Sequence, residues 1–229
     1  MAGPLSSTES AAIARADILR AAARAVAQHG YHGMSMRELA RATGRSPASF
    51  YNYFRSKEAV LLAIQSEAFQ VLLGAAEDVL SRFRAPRARL YAFILNHVRY
   101  FAKHSDVMRV LVHEATALPP GSRSAVRELK ARYFELGRGL VQALCQDGRS
   151  AEETERATYC VFGMLNWIYG WYQPELHGDP TQLARTIFSV AQSGLAAAEA
   201  DETMLESVER ELAELVAPAL LSQPEEVGI

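Results

Sequence analysis

SMRELARATGRSPASFYNYFRSKE, residues 35–58, holds three helix starts within two dozen positions. Ser35 can cap a helix, and Glu38 three residues later completes a capping box in which the two positions exchange hydrogen bonds. Residues 36–42 then bury Met36, Leu39 and Ala40, and Gly44 ends the helix. Ser46 caps the next one, with Pro47 at the first helical position, where its missing N–H leaves no bond unmade. That helix is expected to run to Phe54, and Ser56 caps a fourth. Two short helices joined by a tight glycine-containing turn form a helix-turn-helix. The second helix of such a unit lies in the major groove of duplex DNA, its N-terminal end towards the base edges.

The residue types suit that placement. Phe50 and Phe54 are four apart, share a face and can pack inward. Tyr51, Asn52 and Tyr53 lie off that face, and their polar tips can donate to phosphate oxygens while the rings stay partly packed. Arg45, Ser46, Ala48 and Ser49 occupy the turn and helix start, where small residues permit close approach, and Arg45 can read guanine with two hydrogen bonds. Lys57 and the free N–H groups at the start of the fourth helix suit phosphate. Arg37, on the preceding helix, completes the DNA-facing set. The plainer alternative makes the aromatics core and the cations a solvated face. The agreement of caps, turn and charge favours the DNA-facing reading.

Charge is distributed accordingly. The 229 residues carry a net charge of −2, yet residues 1–60 hold eight Lys/Arg against four Asp/Glu, leaving −6 for the remainder. A basic head on an acidic body suggests that only the head meets a polyanion. At 49% hydrophobic and 22% charged the chain reads as soluble and globular, long enough for one large or two small domains. No apolar run approaches the roughly 20 residues of a bilayer span, and the N-terminus lacks the pattern of a signal peptide. Two cysteines, Cys145 and Cys160, point to a reducing cytoplasm and to small buried apolar roles.

Outward from the opening stretch, helical period persists and strand alternation does not. Ile13, Ile18, Leu19, Ala22, Val26 and Ala27 form a stripe on a first helix stopped at His29-Gly30. The fourth helix continues to about Arg84. Further helices are expected over 87–104, 106–117, 123–146, 151–173, 180–198 and 201–217, with LPPGS, residues 118–122, as a loop. The fold class is all-α: a three-helix helix-turn-helix domain over 10–57, a larger helical bundle over 58–217, and a disordered tail over 218–229.

ADILRAAARAVAQHGYHGMSMRELARATGRSPASFYNYFRSKEAVLLA, residues 16–63, resembles the N-terminal domain of the TetR family of transcriptional regulators. The resemblance implies a cytoplasmic homodimer on palindromic double-stranded operator DNA, usually a repressor, whose C-terminal domain holds a small-molecule pocket and the dimer seam. It assigns Tyr51, Tyr53 and Lys57 to phosphates and Arg45, Ser46, Ala48 and Ser49 to the neighbourhood of bases. Family members often carry an aliphatic residue and then Lys around position 46. Arg45 and Pro47 stand there instead, so a basic contact has shifted. VFGMLNWIYGWYQPE, residues 161–175, and LVHEATALPPGSRSAVRELKARYFE, residues 111–135, are similar to a subgroup that senses acyl-CoA thioesters in fatty-acid or steroid catabolism.

Residues 158–172 are apolar almost all round, as in a helix buried on several sides. Gly163, Trp167 and Gly170 share a stripe whose glycines allow close approach, and are expected to meet the helix over 180–198, a dimer partner at the interface, or both. Met164, Ile168, Trp171 and Tyr172, with Met108, are the candidate walls of a pocket for a small hydrophobic effector, or else plain core. Arg123, Arg127, Lys130 and Arg132 either meet the phosphates of a CoA thioester or form a solvated face paired with Glu128 and Glu135. No GxSxG, GxxxxGKS or Rossmann glycine pattern is present, so no catalytic residue or cofactor is expected. Without CxxC or HExxH, and with His97, His104 and His113 scattered, neither is a metal. A helical DNA-binding protein with no small-molecule effector is the alternative reading.

Overall fold

The computed structural model describes residues 7–145 and 149–196, helical throughout with no strand among them. α1, Ser7–His29, ends where Gly30 takes φ +74°, a left-handed conformation that costs glycine nothing. α2 is Met36–Ala42, and its capping box is complete: Glu38 N–H donates to Ser35 Oγ and Ser35 N–H donates to the Glu38 carboxylate. Hydrogen bonds from the Ser35 hydroxyl and the Ser35 backbone N–H hold the Glu38 carboxyl below its ordinary range. α3 is Pro47–Tyr51, capped by Ser46, and α4 is Lys57–Ser81, capped by Ser56.

Two hydrophobic cores follow, and α4 belongs to both. In the first, Ile18, Ala22 and Val26 of α1 meet Leu39 and Ala40 of α2, Phe50 and Phe54, and Val60, Leu61 and Ile64 of α4. Ile13, expected on the same stripe, stands 48% exposed instead. Three residues from further along the chain also enter: Val110 from α6, Ser105–His113; Leu118 from the connection; and Val126 from α7, Pro120–Gln142. The second core joins Leu72, Leu73, Ala76 and Leu80 of α4 to Leu90, Phe93, Ile94 and Phe101 of α5, Pro86–Lys103. It adds Tyr133 and Leu140 of α7, and Phe162 and Leu165 of α8, Ala151–Asn166. After a 3-10 turn at Trp167–Gly170 and the single-turn α9, Pro174–His177, Leu183, Ala184 and Ile187 of α10, Pro180–Ala196, close it.

Several boundaries differ from expectation, each for a local reason. α3 stops at Tyr51 because the chain tightens there: the N–H groups of Tyr53 and Phe54 both return to the Phe50 carbonyl. This swings Phe54 inward, its ring 5.8 Å from that of Phe50. α7 begins at Pro120, inside the expected loop, since proline suits a first helical position. The helix expected over 151–173 ends at Asn166, where the tighter 3-10 turn delivers Ile168 to the core at 1% exposure. α4, though broken by Gln65, Ser66, Glu67 and Gln70, has the length and a mean hydropathy, 1.6, that would suffice for a bilayer span by composition alone. Of its buried residues, Val60, Leu61, Ile64, Leu72, Leu73, Ala76 and Leu80 lie in the two cores. The expected helix over 201–217 and the tail over 218–229 lie outside the described residues.

Phe50 is fully buried at the centre of the first core. Phe50→Ala is expected to destabilise the protein by about 3–5 kcal/mol, measured as the loss of unfolding free energy in urea.

Candidate nucleic-acid interface and body cavity

The capped starts of α3 and α4 define one exposed surface of the head. Arg37, Ser46, Ala48, Tyr51 and Asn52 are exposed, and Arg45, Ser49, Tyr53 and Lys57 are half-buried. Arg45 and Tyr53 form one unit, with the guanidinium carbon 5.0 Å from the centre of the Tyr53 ring. Lys57 Nζ sits 4.5 Å from the centre of the buried Tyr31 ring. Both cations are thus steered by aromatic faces while their donors stay at the surface. Ser46 Oγ accepts from Ser49 N–H, so its hydroxyl belongs to the helix cap. Phe50 and Phe54, facing the other way, anchor the whole element.

The head is fastened to the body by a residue that sequence reasoning passed over. Glu114, just past the end of α6, accepts a 2.8 Å hydrogen bond from Tyr31 N–H, beyond the end of α1. Its own backbone carbonyl accepts from Gln65 of α4 at 2.9 Å. Its neighbour His113 points the other way, Nε2 lying 3.1 Å from the Tyr169 hydroxyl on the 3-10 turn. The end of α6 is therefore tethered on one side to the head and on the other to the body. The bond to Tyr31 spans 83 positions and leaves no local signal in the sequence.

Between α4, α5, α6, α7 and α8 lies a cavity of about 300 Å³. Phe69, Leu72, Phe101, Met108 and Phe162 supply apolar wall, and His97, Tyr133, Lys130 and Asn166 the polar positions. His97 and Tyr133 are buried, with Nδ1 3.1 Å from the phenolic oxygen. Burial lowers the His97 pKa to about 3, with the Leu165 backbone carbonyl acting in the opposite sense, so the ring is neutral. Burial also pushes the Tyr133 phenol well above its usual range. A smaller space of about 130 Å³ shares Phe69, Leu111, Ala115 and Lys130 with this cavity and adds Gln65, Arg123 and Arg127.

Of the five expected pocket residues only Met108 lines the cavity. Met164 and Tyr172 pack on the body core, Ile168 is inside it, and Trp171 stands 40% exposed with its ring 5.1 Å from His177. The all-round apolar stretch gave no phase from which to choose a wall, and the 3-10 turn after Asn166 alters the phase of Ile168, Trp171 and Tyr172. The signal for His97 was available: it shares the buried face of α5 with Leu90, Ile94 and Phe101. The four cations after the connection divide. Arg123 donates to the Thr116 and Leu118 carbonyls and Arg132 lies 3.6 Å from Glu77. Arg127 and Lys130 have no ion pair among the described residues and face the smaller space.

Gly163, Trp167 and Gly170 are exposed, Trp167 at 62%. Nothing lies within 4 Å of where a Gly163 Cβ would stand, while a Gly170 Cβ would meet the Trp167 ring at 3.6 Å. Tyr159, 59% exposed, continues the line one helical turn earlier. On α7 the bare backbone of Gly137 admits Phe162 so closely that a Cβ there would stand 2.7 Å from its ring.

Residues 18–64 match the family described as bacterial regulatory proteins, tetR family, and residues 84–195 the family described as tetracyclin repressor-like, C-terminal domain. The chain is 25% identical over 186 residues to the HTH-type transcriptional repressor KstR2 of Rhodococcus jostii, covering 80% of this chain and 91% of that one. A TetR-family transcriptional regulator from Bordetella parapertussis superposes with a TM-score of 0.73 at 28% identity, over 81% of this chain and 98% of that one. AibR, in a crystal structure with isovaleryl coenzyme A and operator DNA, superposes with a TM-score of 0.68 at 24% identity, over 77% and 97%. At that identity the likeness to AibR speaks for the fold.

Neutral, buried His97 makes acid stability a test of the cavity. The unfolded chain takes up a proton near pH 6.5, the folded one only near pH 3. The stabilisation is full above 6.5 and falls as pH drops towards 3, by at most about 1.4 kcal/mol per pH unit. Relative to wild type, His97→Phe is expected to flatten urea stability across that window.

Proposed function

The chain belongs to the TetR family of DNA-binding transcriptional regulators, and from that premise we propose that it is a homodimeric repressor released from a palindromic operator by an acyl-CoA thioester. The observation that carries the effector class is the pairing of two spaces. An apolar cavity adjoins, through four shared wall residues, a smaller space lined by Arg123, Arg127 and Lys130. Apolar walls suit an acyl chain, and cations suit the phosphates of coenzyme A. AibR, of the same fold, carries isovaleryl coenzyme A.

In this reading residues 10–57 are the DNA-reading domain and 58–217 the sensing and dimerisation domain. Arg45, resting on Tyr53, reads base edges. Ser46, Ala48 and Ser49 lie close to the bases beside it, and Arg37, Tyr51, Asn52, Tyr53 and Lys57 position the helix on the backbone. The line of Tyr159, Gly163 and Trp167 faces a second copy, with Gly170 alongside, so that two heads span successive major grooves, about 34–36 Å apart. Ligand presses on Leu111, Val112 and Ala115, which line the cavity on either side of Glu114. The end of α6 shifts, the hold of Glu114 on Tyr31 and Gln65 loosens, and α4 carries the change to the head. A coupling of roughly 1–3 kcal/mol corresponds to about 5- to 150-fold weaker DNA binding.

The test starts with operators selected from a random duplex library. Wild type is expected to bind a palindrome as a dimer and to release it on titration with acyl-CoA. Lys57→Ala is expected to weaken all sequences alike and to reduce the slope of log K against log salt by about one. Operator affinity unmoved by any acyl-CoA would leave a regulator without this effector. Glu114→Ala is expected to keep acyl-CoA binding, measured by calorimetry, while the ligand-induced drop in DNA affinity shrinks towards unity.

A further inference from the structure

Among the described residues that line the cavity, one buried side-chain atom stands without a hydrogen-bond partner. His97 is 2% exposed, lines the cavity, and its Nε2 makes no hydrogen bond among the described residues. The Leu165 carbonyl lies beside the ring, and Nε2 is outside hydrogen-bond geometry to it. The other ring nitrogen decides what Nε2 can offer. Tyr133, equally buried, has His97 Nδ1 as the partner of its hydroxyl. If Nδ1–H donated to Tyr133, the phenolic proton and Nε2 would both be left unmatched. If the phenol donates to Nδ1, a single group is left over, an Nε2–H donor. Buried polar groups favour the arrangement with fewer orphans.

Resting on the acyl-CoA reading above, we infer that His97 is the specificity-determining donor of the cavity: its Nε2–H takes the thioester carbonyl of the ligand, with Tyr133 positioning it. A neutral donor fits a carbonyl, which carries no charge into a site walled by Phe101, Met108 and Phe162. It gives a carboxylate no countercharge, and Lys130, the one cation lining the cavity, is exposed and also lines the smaller space. The cavity thereby separates a thioester from its free acid. In an effector made of apolar chain, carbonyl and anionic tail, the carbonyl is the acceptor adjacent to the chain. His97 lines the cavity beside the apolar rings of Phe101 and Phe162, whose centroids lie 4.7 and 6.4 Å from its own.

The experiment is calorimetric titration of the full chain with isovaleryl-CoA, with the thioether S-isopentyl-CoA, which lacks only the carbonyl oxygen, and with isovalerate. Wild type is expected to bind the thioester about 5- to 100-fold more tightly than the thioether, as for a buried donor left without its acceptor. His97→Phe is expected to bind the two alike, and Tyr133→Phe to narrow the gap. Nitrogen-15 NMR of His97 in the wild-type protein is independent of any variant. It should show the Nε2–H tautomer, with a downfield proton shift when the thioester, and not the thioether, is bound. Equal binding of thioester and thioether by wild type, or an Nδ1–H tautomer, overturns this inference and leaves the effector class standing. Absence of binding by every CoA species overturns both.

Discussion

One helix cannot relax in one core without being felt in the other. α4 gives Val60, Leu61 and Ile64 to the head and Leu72, Leu73, Ala76 and Leu80 to the body, with Phe69 packed against both sets. Packed interiors have little free volume, so a displacement at one end is transmitted rather than absorbed. Everything else in the fold sits around this constraint. α1 and α6 close on α4 from one side, α5 and α7 from the other, and residues from the α6–α7 region enter the head's own core. The result is a head whose own core includes residues of the C-terminal body.

The polar links follow the same logic. His113 and Glu114 are sequence neighbours that point apart, and for that reason each can hold a different element. One reaches Tyr169 at the end of α8, the other Tyr31 at the end of α1. The two tethers sit where the cavity wall turns the corner towards the head. Small shifts of a helix end suffice for such a device, because a hydrogen bond loses its strength within a few tenths of an ångström.

How much of this was legible in the sequence depended on the range of each interaction. Ser35, Ser46 and Ser56 cap backbone groups three residues away, so their roles could be read in place and are found in the structure. Phe50 and Phe54 were readable for the same reason. The body resisted. Met164, Ile168, Trp171 and Tyr172 come from a stretch with no polar face to set its phase, and for the last three the helical pitch changes after Asn166. His97 was visible as a polar residue in an apolar series, but its partner Tyr133 is 36 positions away. Glu114 gave no sign of this role, since its bond is made to a backbone N–H 83 positions away. Local chemistry is written locally, and a tether between two domains is not.

Gly137 has no part in the cavity lining, yet it holds one wall in place. A methyl group there would collide with Phe162, and Phe162 in turn stands against Phe93, Tyr133 and Phe134. The bore of the chamber is therefore adjustable from behind the wall. Any side chain larger than hydrogen at this buried position would displace Phe162 and reshape the cavity with none of the lining residues substituted.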